Sequence, residues 1–205
     1  MFKNGDCLFM TMKVIIVTGS VGTGKTTISK KLAEKLNLHY INANKIVKKY
    51  NISEGYDKKR KTEIVDVKKL NEALIKEIGQ YKKNIKNSSN KIIKSLKTKN
   101  NNKKPIKIIE NKLKNIKKGI IIDSHLSHYL PNKYTDLCIV AKCDLKILKM
   151  RLNWRKYSKK KTRENLDAEI FDICLNEAKE NKHNVLVIDS TNPVDIKNII
   201  SNIKK

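Results

Sequence analysis

The chain has 205 residues, a formal net charge of +26, 39% hydrophobic residues and only 5% aromatic ones. This length is ample for a buried core and predicts one domain, or one with a large insertion, while the lack of any apolar run of membrane-spanning length excludes a transmembrane helix. An excess of 46 Lys and Arg over 20 Asp and Glu calls for either a polyanionic partner or a heavily solvated basic surface.

Residues 1–11 read as an N-terminal extension. They are too short and too weakly apolar for a secretory signal, so a soluble cytoplasmic protein is expected, and Met12 is an alternative start because the first strand begins directly after it. Val14-Ile15-Ile16-Val17 has the character of a short buried strand, and Ile28, Leu32 and Leu36 recur at helical spacing beyond it. Between them, Gly19-Ser20-Val21-Gly22-Thr23-Gly24-Lys25-Thr26 fits G-x-x-x-x-G-K-[ST] in the strand–loop–helix setting that gives the pattern its meaning. Glycines let the backbone turn its N–H groups inward around a phosphate, backed by the positive end of the following helix. Lys25 then reaches the β- and γ-phosphates, the Thr26 hydroxyl ligates Mg²⁺, and Thr27 adds a contact to the α-phosphate. The predicted ligand is ATP or another nucleoside triphosphate with Mg²⁺.

His39-Tyr40-Ile41 reads as a second strand, followed by helices at Ala43 to Tyr50 and Val67 to Ile78. From Gln80 to Lys118 the chain is built from Lys, Asn and Ile, with fourteen lysines against the single Glu110. Ile106, Ile109, Leu113 and Ile116 have helical spacing there, as more weakly do Ile92, Ile93 and Leu96, and Lys97 to Pro105 reads as a flexible loop. The segment is therefore a helical hairpin or a partly disordered insertion. It either contacts RNA through salt-dependent phosphate neutralisation or reflects drift of composition toward Lys and Asn, since it lacks interleaved aromatics.

Gly119-Ile120-Ile121-Ile122-Asp123 is an apolar strand ending in a carboxylate, the arrangement that holds the Mg²⁺ shell beside a phosphate loop. Asp123 is placed to orient a Mg²⁺-bound water, and His125 to hydrogen-bond near the reacting phosphate or to Asp123, while His128 reads as structural. Further strands are expected at Leu137 to Ala141 and Val185 to Ile188, with helices at Asp144 to Trp154, Thr162 to Glu180 and Pro193 to Lys204. Strands alternating with helices give a parallel sheet covered on both faces, with phosphate at the carboxyl end of the first strand. Only Arg60, Arg151, Arg155 and Arg163 are arginines. Clustering three of them in a chain that otherwise uses Lys suggests a need for the bidentate guanidinium fork, most of all at Arg155. Cys7, Cys138, Cys143 and Cys174 form no C-x-x-C pair and read as reduced, buried thiols.

Gly19 to Thr27, Glu54-Gly55-Tyr56-Asp57, Asp123-Ser124-His125-Leu126-Ser127-His128-Tyr129, Arg151-Leu152-x-x-Arg155-x-Tyr157-Ser158-x-Lys160-Lys161-x-x-Glu164-Asn165 and Glu169-Ile170-Phe171 together resemble the atypical adenylate kinases, the sixth adenylate kinase isoenzyme type of archaea and eukaryotes. The resemblance covers nearly everything but the first eleven residues and the basic insertion. It implies an α/β P-loop NTPase fold of the nucleoside monophosphate kinase type over 12–205. A monophosphate-binding region would lie at about 42–65, the Lys-rich insertion at about 80–118 and a short lid at about 154–164. It implies ATP on Gly22, Gly24, Lys25, Thr26 and Thr27, with Arg155 as the lid arginine, and a role for Asp123 and His125 in metal binding and hydrolysis geometry. Implied activities are AMP phosphorylation and ATP hydrolysis. The implied partners are AMP or another nucleoside monophosphate, and small-subunit ribosomal protein eleven on maturing ribosomal particles. Two features depart from the family's pattern: the basic insertion itself, and Lys58-Lys59-Arg60-Lys61 where acidic character is usual. The resemblance implies that one chain is both an AMP kinase and a factor in small-subunit maturation; the alternatives are an assembly ATPase that switches a ribosomal contact with little AMP kinase activity, and a kinase of a different small molecule.

Overall fold

A computed structural model describes residues 12–58, 60, 62–97, 117 and 119–204. The expectations for 1–11, for Cys7 and for 98–116, including the spacing of Ile106 to Ile116, lie outside the described residues. Five parallel strands, β1 (Lys13–Thr18), β2 (His39–Asn42), β5 (Gly119–Asp123), β6 (Leu137–Lys142) and β7 (Val185–Asp189), form a sheet in the order β2-β5-β1-β6-β7. Side chains alternate along each strand, and both sheet faces are covered, which is why the central strands read as unbroken apolar runs. Val14 and Ile16 pack with Ile120, Ile122, Cys138 and Val140 on one face, and Ile15 and Val17 with Ile121, Ile139 and Ala141 on the other.

The first face is closed by α2 (Ala43–Lys49), α3 (Val67–Lys97) and α6 (Ile173–Glu180), and the second by α1 (Lys25–Lys35) and α7 (Ile196–Lys204). Leu70, Leu74 and Ile78 of α3 and Ile28 and Leu32 of α1 are fully buried, each contributing about 1.5–3 kcal/mol by burial. Helix α3 outruns the expected end at Ile78 and continues to Lys97, about 46 Å at 1.5 Å per residue. The apolar spacing carries on through Ile85, Ile92 and Leu96, and one internal glycine, Gly79, costs too little to stop it.

Two other expectations change. Thr162 to Glu180 is two helices, α5 (Lys159–Ile170) and α6, because the backbone turns into the left-handed region at Asp172, φ +53°. Ser158 caps α5 by accepting from Lys161 N, which starts the helix earlier than its apolar spacing suggests. In addition, β3 (Ser53–Asp57) and β4 (Thr62–Val65) form an antiparallel hairpin apart from the main sheet. Its residues are mostly exposed and polar, so no apolar alternation marked it. The remaining helix, α4 (Leu145–Trp154), starts where the Asp144 carboxylate accepts from the N–H groups of Lys146 and Ile147. No helix among the described residues is long and apolar enough to cross a membrane.

Candidate active site

The loop Gly19–Gly24 joins the carboxyl end of β1 to the first turn of α1. Gly19 has φ +134°, and a Cβ there would stand 2.3 Å from the Ala141 carbonyl oxygen, so no other residue fits. Gly24 caps α1 at φ +82°. The Ser20 carbonyl draws the loop together, accepting from Thr23 Oγ1 at 2.9 Å and from Lys25 Nζ at 2.8 Å. Ser190 fastens it from outside, its hydroxyl lying 2.5 Å from the Thr23 carbonyl and 2.8 Å from that of Lys142.

Burial pulls the Lys25 ammonium down to about 8, against the opposing pull of Cys174 and Asp123. Parallel pairing of β1 with β5 sets Asp123 opposite Val17, and pairing of β2 with β5 sets Asn42 opposite Asp123. One carboxylate oxygen of buried Asp123 accepts from Thr26 Oγ1 at 2.7 Å and from Tyr40 Oη at 2.8 Å. Burial and this carboxylate push the Tyr40 phenol up to about 12. Thr26 and Asp123 offer hard oxygen donors side by side, a set suited to Mg²⁺ completed by water and substrate phosphate.

His125 lies two residues beyond Asp123. The protein around it and the positive charges of Lys25, His128 and Lys161 hold it below the usual histidine range, which favours neutral imidazole at neutral pH. His128 is structural, as read. Its Nδ1 is 2.7 Å from Thr18 Oγ1 and its Nε2 2.8 Å from Glu177 Oε2, and the same carboxylate accepts from Tyr129 Oη at 2.7 Å.

The arginines separate. Arg155, just past α4, is exposed and lines a cavity of about 550 Å³ beside the loop, with Gly22, Gly24 and Thr27. Among the described residues Arg151 forms no ion pair. Its Nη2 donates to the carbonyls of Ser190 at 2.8 Å and Thr191 at 3.0 Å, tying α4 to the segment after β7. Arg163 pairs with Asp167 on the solvated face of α5. Arg60, at the hairpin turn, grips Glu164 of α5 with Nε 3.0 Å from Oε2 and Nη2 3.1 Å from Oε1, while Lys161 Nζ donates to the Arg60 carbonyl at 2.8 Å.

The sequence reading did not single out Tyr40, Ser190, Glu169 or Trp154. Ser190 to Pro193 carried a usable signal, a Ser-Thr-Asn-Pro cluster closing a strand, and Glu169 stood in a quoted motif. Glu169 is buried and accepts from Cys143 N at 2.8 Å, binding the end of α5 to the end of β6.

A family model described as AAA domain matches residues 15–172. "Putative adenylate kinase" of Methanocaldococcus jannaschii is 34% identical over 92% of this chain and 82% of its own length. The chain belongs to the atypical adenylate kinase family. A second relative of the same name, from Thermococcus kodakarensis, is 32% identical over 87% of this chain and 76% of its own. "Adenylate kinase isoenzyme 6 homolog" of Caenorhabditis elegans is 29% identical over 81% of this chain and 72% of its own. The family match runs from β1 through the loop, Asp123 and α5 and stops at Asp172, before the Ser190–Val194 segment that completes the cavity wall.

Proposed function

We propose that the protein is an ATP-dependent nucleoside monophosphate kinase that converts ATP and AMP to two ADP. The observation that carries the reading is the convergence of Lys25, Thr26 and Asp123 on one glycine-rich loop, with a cavity of about 550 Å³ beside it, within the range of small-molecule sites. The loop amides and Lys25 hold the β- and γ-phosphates, and Gly22, Gly24 and Thr27 complete the cradle. Thr26 and Asp123 hold Mg²⁺, which when bound neutralises charge on the transferring phosphoryl group. An oxygen of the AMP phosphate attacks the γ-phosphorus in line as the bond to the bridging β–γ oxygen breaks and ADP leaves. No strong general base is needed, because the attacking phosphate is already anionic. His125, neutral and close to Lys25 and Asp123, serves as a hydrogen-bonding positioner. Arg155 closes over the phosphates and excludes water, and incomplete exclusion gives ATP hydrolysis. The hairpin β3–β4 and helix α2 frame the monophosphate side, and the segment 154–164 forms the lid.

A second role, in small ribosomal subunit maturation with ribosomal protein eleven as partner, is supported by the basic surface. Lys82, Lys83 and Lys86 are exposed on α3 and form no ion pair among the described residues, a face able to contact RNA phosphates. The test of both is ADP formation from ATP and Mg²⁺ with and without AMP, repeated with purified small-subunit particles. AMP-dependent ADP production supports the kinase. Hydrolysis indifferent to AMP and stimulated only by particles supports an assembly ATPase and overturns the kinase reading.

A further inference from the structure

Trp154 is the chain's single tryptophan and the last residue of α4, and it is 73% exposed. An indole left in water forgoes a large apolar burial, so its setting calls for a reason. The setting is the wall of the cavity beside the phosphate loop, with Ile28, Pro193 and Val194 among the apolar lining and Lys31 and Arg155 among the basic. Among the described residues the indole has no hydrogen bond, ring contact or cation against it.

This end of α4 is held in place from two sides. Leu148 and Leu152 are fully buried against the loop, so closely that a Cβ on Gly22 would lie 2.8 Å from Leu148 Cδ1. Arg151 fixes the same helix to the Ser190 and Thr191 carbonyls on the far wall. The helix that ends at Trp154 is therefore anchored beside the loop through Leu148, Arg151 and Leu152, and the lid segment leaves from that anchored end.

We propose that Trp154 is the base-stacking side chain of this cavity: with a triphosphate seated on the loop, the heteroaromatic base of the same nucleotide lies against the indole. The inference rests on the reading of Gly19 to Thr27 as a triphosphate cradle. Stacking uses a π-face that every base possesses, so Trp154 raises affinity for the nucleoside part without choosing between purines.

Calorimetric titration of the full chain with Mg²⁺-ATP and with Mg²⁺-tripolyphosphate, which has no base, separates the two ideas. Trp154→Ala is expected to weaken ATP roughly tenfold and leave tripolyphosphate unchanged, with Trp154→Phe within about threefold of the parent. In the parent, ATP is expected to quench the single tryptophan's emission, and tripolyphosphate to leave it unchanged. If Trp154→Ala binds ATP as tightly as the parent, or weakens both ligands alike, the stacking role is wrong while the loop reading stands. If neither ligand binds the parent, the loop reading falls and the stacking role with it.

Discussion

Lys25 does two things at once in the free protein: it closes the loop by donating to the Ser20 carbonyl, and it waits for an anion in a place that disfavours its own charge. Burial that lowers its pKa to about 8 also means that a bound triphosphate must raise it, so binding takes up a proton. The contribution of Lys25 to affinity is fully present below pH 8 and is lost as pH rises from there through the pKa of the complex. Calorimetry at about pH 8.5 in two buffers of different ionisation enthalpy should show this uptake, and Lys25→Ala should remove it. A flat affinity profile across this range would contradict the assignment. Removing the ammonium should also depress phosphoryl transfer and hydrolysis by about a hundredfold or more, the scale on which a preorganised donor to developing charge acts. Arg155→Ala should lower transfer less and leave thermal unfolding unchanged, because the side chain is exposed and supports no core contact. Retained turnover in the Lys25 variant would remove the proposed mechanism.

At the scale of elements, the hairpin meets α5 through Arg60 on Glu164, reinforced by Lys161 on the Arg60 carbonyl. The pair is half exposed, so it adds little to global stability. It does fix where the hairpin turn sits relative to α5, since β3 and β4 pair only with each other. Arg60→Ala and Glu164→Ala should each leave the unfolding midpoint in place and speed amide hydrogen exchange across 53–65, with no further increase in the double variant. An additive double variant would show that the two side chains act separately. This contact was not legible in the sequence. Lys58-Lys59-Arg60-Lys61 read as one basic run, and it is the approach of α5 that gives Arg60 the Glu164 carboxylate as partner. The hairpin itself escaped for a related reason: its strands are too exposed and too polar to carry a period-two pattern.

For the whole molecule, the net charge is +26, and among the described residues no Lys or Arg lies in the buried core, so the charge these residues carry leaves the sheet unaltered. Replacing Lys82, Lys83 and Lys86 together by Glu should release the protein from a polyanion column at lower salt while leaving AMP phosphorylation unchanged. Loss of the kinase activity instead would place this stretch of α3 in the catalytic domain's own working. The parallel sheet, the phosphate loop and the candidacy of Asp123 were determined by the sequence alone, because each rests on contiguous residues: an apolar run, an eight-residue motif, a strand ending in a carboxylate. Tertiary structure alone decided the rest. Tyr40, Thr26 and Asp123 share hydrogen bonds because β1, β2 and β5 run in register and α1 follows β1, and Arg151 of the arginine cluster is a tie because the segment after β7 presents two carbonyls to it. Trp154 faces a cavity because α4 is docked on Gly22. Contacts between residues far apart in the chain depend on how elements pack, and no local pattern encodes that packing.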